Sequence, residues 1–234
     1  VSGFYKVLNA DLTSRNGGTY QWVLGEWAPE IEGELVPCVN GYHVCQENDL
    51  LEWLGPVICE AEIGGGCIRA SDKTVARTAR IVRVLDTWNE RTARLFACDC
   101  AERVLPIFER QHPADGHPRM AVDTARRFAE GQATREELAA AGDAAGAAAW
   151  AAAGDAAGDA AGDAAGDAAW GAAGDAAWDA ARAAAWAAAG DAAGAVAWDA
   201  AWAAAWAAAG DAERKWQVER LMEYLRGERG HADE

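Results

Sequence analysis

Two thiols and an imidazole fall within eight residues in Cys38-Val39-Asn40-Gly41-Tyr42-His43-Val44-Cys45, and Cys59 and Cys67 follow. Thiolates and neutral imidazoles are zinc ligands. Cys38, His43, Cys45 and one later cysteine could therefore close a tetrahedral site, although their spacing matches no standard finger. The same residues admit nucleophilic chemistry. His43 and Cys45 alternate on a strand and would point to one side, with no obvious third residue to orient the imidazole. The residues favour a plainer reading, because free cysteine is among the most buried side chains and packs as a small hydrophobe. Cys98-Asp99-Cys100 has one residue between its thiols and is neither a redox CxxC pair nor a zinc knuckle. No cofactor is expected.

The other chemically suggestive residues are acids. Between Gly142 and Glu213 stand ten Asp and one Glu against the single Arg182, which places −10 of the chain's −16 in one segment. Asp155, Asp159, Asp163, Asp167, Asp175, Asp179, Asp191 and Asp199 recur there at multiples of four residues. With one carboxylate per helical turn and no fixed loop, they form no calcium cage. They form an acidic face that keeps the chain soluble and can attract a basic partner. The acid excess excludes a nucleic-acid binder, which needs a basic surface to displace phosphate counterions. No apolar run reaches the roughly 18 residues of a membrane span, and Val1–Leu12 does not read as a signal peptide. A cytoplasmic protein with free thiols is expected.

These residues must be positioned by two kinds of element. Over 1–88, short strand-like runs at 5–8, 20–24, 57–63 and 78–85 alternate with turn signals at 15–18, 39–41 and 64–66, the last read as a hairpin turn. Asp49–Leu54 reads as one short helix capped by Asn48 or Asp49. Over 89–234 the pattern is helical. Positions 97, 101, 104, 105 and 108 share a face, and Pro106 predicts a kink or a break. A turn at 112–118 leads to a helix over 118–130 ended by Gly131, and Thr134 with Glu137 predicts a capping box. The stretch 142–213 is a tetrapeptide repeat, (Gly/Trp)-(Asp/Ala)-Ala-Ala, and seven of the chain's 12 Trp sit on its period. Four residues turn about 400°, so a stripe of period four drifts about 40° per unit around one straight helix. Several antiparallel helices of four or five units, with Trp of one filling the hollow opposite Gly of another, would give such a stripe a partner. A conventional amphipathic helix, Lys215–Leu225, closes the pattern. The predicted class is α+β: a small β-rich domain over 1–88, then an all-α, Ala/Trp-rich bundle of antiparallel helices over 89–234.

Two family resemblances follow from these residues. Tyr5–Thr13 with Pro37–Cys45, carried by Cys38, Gly41, His43 and Cys45, resembles an uncharacterised domain common in phage and bacterial proteins and often placed before low-complexity repeats. Leu95–Ala101, Val104-Leu105-Pro106, Pro118-Arg119, Ala125-Arg126-Arg127 and Trp216–Leu221 resemble bacterial immunity proteins of polymorphic toxin systems. This chain departs from them by replacing an ordinary Ala-rich middle with near-perfect tetrads. With the −10 segment and the lack of catalytic groups in the repeat, the resemblance implies a non-enzymatic interaction protein of bacterial or phage origin whose acidic helical surface neutralises a toxin or host factor. The alternative is Cys/His chemistry in the first domain, with the repeat as a spacer.

Overall fold

The computed structural model describes residues 3–15, 18–111, 113–145 and 210–230. The tetrads over 146–209, with the eight aspartates named above and the expected packing of repeat helices, lie outside the described residues. The chain divides into two compact units, Val1–Asn89 and Glu90–Glu234.

The first unit holds strands β1 (Phe4–Leu8), β2 (Tyr42–Val44), β3 (Val57–Arg69) and β4 (Thr74–Val84), with a short helix α1 (Leu50–Trp53) after a 3-10 turn (Glu47–Asp49). The sheet is antiparallel in the order β1-β3-β4-β2. β3 and β4 are long, and their register shifts at Glu60/Ala61 and again at Gly64/Cys67. Such bulges bend a strand and increase its twist. Tyr5 and Cys45 then exchange two backbone hydrogen bonds of 2.8 Å, which links β1 to the residue after β2 and curls the sheet into a half-barrel. Leu8, Trp22, Ala28, Val44, Cys59, Ala61, Ala79 and Ile81 form one buried cluster. Tyr20, Trp22 and Tyr42 meet edge-on beside it, with centroids 5.0–5.5 Å apart. Full burial of each large apolar side chain contributes about 1.5–3 kcal/mol.

Two local expectations are corrected here. Gly64-Gly65-Gly66 is not the hairpin turn. It lies within β3, where Gly65 (φ +69°) and Gly66 (φ +95°) supply the left-handed backbone of the bulge. The turn is at 70–73, closed by the Ala70 N–H to the Lys73 carbonyl at 2.8 Å. Residues 20–24 form no continuous strand and contribute only the bridges Thr13–Gln21 and Leu24–Ile81. The short helix α1 has Asp49 at its N-cap position, as expected; the 3-10 turn that precedes it is capped at Gln46, whose N–H donates to Asp49 Oδ2 at 2.9 Å.

The second unit contains α2 (Glu90–Gln111), α3 (His117–Ala129), α4 (135–145) and α5 (Gly210–Leu225). α2 runs unbroken through Pro106. Pro106 is exposed, so solvent can satisfy the carbonyl that its missing N–H leaves free. Ala97, Ala101 and Leu105 are buried, but so are Leu95, Phe96, Cys98 and Cys100, so α2 is covered on more than one stripe. Gly131 (φ +74°) ends α3. The capping box before α4 is reciprocal: the Thr134 N–H donates to Glu137 Oε2 at 2.7 Å, and the Glu137 N–H donates to Thr134 Oγ1 at 3.1 Å. α2, α3 and α4 share a cluster of Cys98, Ala101, Ala121, Val122, Ala125, Leu138 and Ala145.

Candidate functional site

The half-barrel places the sequence-predicted thiols and imidazole in different environments. Cys38 is exposed in a turn, at φ +64°. Its N–H donates to His43 Nε2 at 2.9 Å, which makes Nε2 the acceptor nitrogen of a half-buried imidazole. Burial, with the charges of Lys6 and Lys73, holds His43 below its ordinary pKa. Cys45 is buried, its backbone is spent on Tyr5, and burial pushes its thiol up to about 12. A thiol in that range stays protonated at neutral pH and is a weak nucleophile. The structure thus joins Cys38 to His43 through an amide–imidazole bond. Among the described residues, no three His, Cys, Asp or Glu side chains gather to hold a metal ion.

Lys6 was not singled out from the sequence. It shares a face of β1 with Phe4 and Leu8, pairs in register with Cys59, and is only 8% exposed. Its Nζ donates to the His43 carbonyl at 2.7 Å and lies 5.1 Å from the Trp22 ring centre. Burial lowers its pKa to about 8.

The densest charge cluster is also one the sequence reading missed. Asp99, buried on α2, accepts from Arg126 Nη2 of α3 at 2.8 Å, from Arg220 Nη1 of α5 at 2.7 Å and from Tyr224 Oη of α5 at 3.0 Å. Arg229 stands 4.0 Å away. Around it, Glu102 pairs with Arg126 at 2.8 Å, Glu223 pairs with Arg229, and Glu213 pairs with Arg103 at 2.7 Å. Arg103 and Arg220 both lie over the Trp216 indole, at 4.5 and 4.9 Å. Burial opposes the Arg126 charge, but bonds to Asp99 and Glu102 prevail and raise its pKa. Burial, then the Asp99 charge, raises Tyr224. Partner numbers along α2 and α3 run in opposite directions, as do those along α2 and α5, so both helices lie antiparallel to α2. One signal was present in the sequence: an aspartate between two cysteines, on a helix otherwise rich in apolar residues.

The described residues define a protein class: an α+β chain in which a half-barrel unit precedes helices held around one buried carboxylate. Residues 83–224, more than half of the chain, match the family described as "Imm-5 like putative immunity protein". The chain belongs to that family. Residues 3–91 match a domain of unknown function (DUF7666). No curated protein and no solved structure matches the chain. Among the described residues, no helix is long and apolar enough to cross a membrane.

Proposed function

We propose that this chain is an immunity-like binding protein that acts in the cytoplasm and neutralises a toxin or host factor by direct, non-enzymatic contact. The family match over 83–224 carries this reading. The charge supports the chemistry of the partner. The stretch from Gly142 to Glu213 bears −10 and contains no His, Cys, Ser or Lys, so its polar surface offers carboxylates and little else. Asp155, Asp159, Asp163, Asp167, Asp175, Asp179, Asp191 and Asp199 are the residues assigned to the partner, which is basic. Attraction of this kind raises association rates and falls steeply with salt.

Capture from host lysate by the full chain, at low and at high salt, tests the reading. A basic protein retained at low salt and released at high salt is the expected result. Recovery of no such protein, or of one indifferent to salt, rejects it.

A further inference from the structure

A guanidinium with an unused donor lies near the start of α2. Arg94 is 4% exposed, and its Nη2 donates to Glu90 Oε1 at 2.9 Å. Its guanidinium carbon lies 4.4 Å from the Phe128 ring centre. Its Nε is buried and has no acceptor among the described residues. Nε and Nη2 form one edge of the guanidinium, and that edge grips two oxygens of a carboxylate or phosphate at once. Glu90 fills only half of it.

A second cation is close. Arg94 lies one turn before Cys98 on α2, and Arg135 lies three residues before Leu138 on α4, with Cys98 and Leu138 packed in the same cluster. Arg135 is exposed and carries no ion pair among the described residues. Burial, opposed by Glu90 and assisted by the Arg135 charge, holds Arg94 below its ordinary pKa. Glu90 is already bonded to Arg94; on α4 beside Arg135, Glu137 is held by the Thr134 amide and Glu136 is exposed. A buried polar atom left without a partner calls for an unseen water or ion.

We propose that Arg94 and Arg135 form a site for a small oxyanion, one oxygen completing the Nε/Nη2 edge of Arg94 and another meeting Arg135. The site is independent of the toxin-binding reading.

The test uses the full chain with inorganic phosphate and with acetate, each against chloride at matched ionic strength, and follows the Arg94 Nε–H signal by NMR. A saturable shift with phosphate alone assigns a tetrahedral ligand, and a shift with acetate as well assigns any oxyanion of this class. Arg135→Ala, an exposed change, should weaken the response about tenfold. In Arg94→Lys, which has no guanidinium edge, phosphate should no longer raise the midpoint of thermal unfolding as it does for the wild-type chain, and if that variant does not fold, Arg135→Ala decides. No saturable shift with either anion, or an unchanged affinity in Arg135→Ala, overturns the proposal.

Discussion

Removing the carboxylate of Asp99 leaves Arg126, Arg220 and Tyr224 facing one another without their common acceptor. Breaking a buried ion pair by deleting one partner costs about 3–5 kcal/mol. Asp99→Ala should therefore destabilise the helical unit by about that much, read as lost hydrogen-exchange protection in α5. Lys6 gives the opposite sign. Its folded pKa is about 8 against an ordinary 10.5, so between these values the unfolded chain binds more protons and stability rises with pH. Below pH 8 the cost of the buried charge is fully present. Lys6→Met should protect the β1 amides from exchange more strongly than wild type at pH 7, by about 2–3 kcal/mol, and the difference should shrink towards pH 10. Lys6 gave no sign in the sequence, and Asp99 gave only its place between two cysteines. A charged side chain in a sequence reads as solvated surface, and only the packing of three helices or the curl of a sheet shows that it points inward.

Short-range patterns were easier to read. The Thr134–Glu137 box depends on spacing within one turn, and the structure has it in both directions; Thr134→Ala should cost about 1 kcal/mol in thermal unfolding. Gly131 stops α3 for an equally local reason. The glycine run at 64–66 misled because the same conformational freedom serves a turn and a bulge, and the choice depends on the partner strand. Gly65 sits at φ +69°, and a Cβ there would meet Arg77 Cβ and Glu30 Oε1 at 3.1 Å. Gly65→Ala should cost about 1–2 kcal/mol, measured by chemical denaturation, because an L residue is strained there whatever space is cleared. Residues 20–24 have the composition of a strand, yet tertiary context leaves them only single bridges to 13 and 81.

The chain as a whole joins a half-barrel to helices of an immunity family, with an acidic repeat inside the family match. Its charge makes the proposed function testable without a named partner. Converting Asp155, Asp159, Asp163 and Asp167 to Asn should weaken low-salt capture and flatten its salt dependence, leaving the Asp99 cluster intact by hydrogen exchange. The antiparallel clamp on α2 carries a further consequence. α4 runs into the first tetrad and α5 starts at the end of the repeat, and each packs on α2, through Leu138 and Ala145 on one side and Arg220 and Tyr224 on the other. Excising Gly154–Ala169, four whole tetrads, should accordingly leave exchange protection in α2 and α5 unchanged. A frame that brackets its insertion at both ends tolerates copy-number change. Each Asp-bearing tetrad gained or lost changes the number of aspartates between the two helices while leaving the side chains that hold α4 and α5 to α2 as they are.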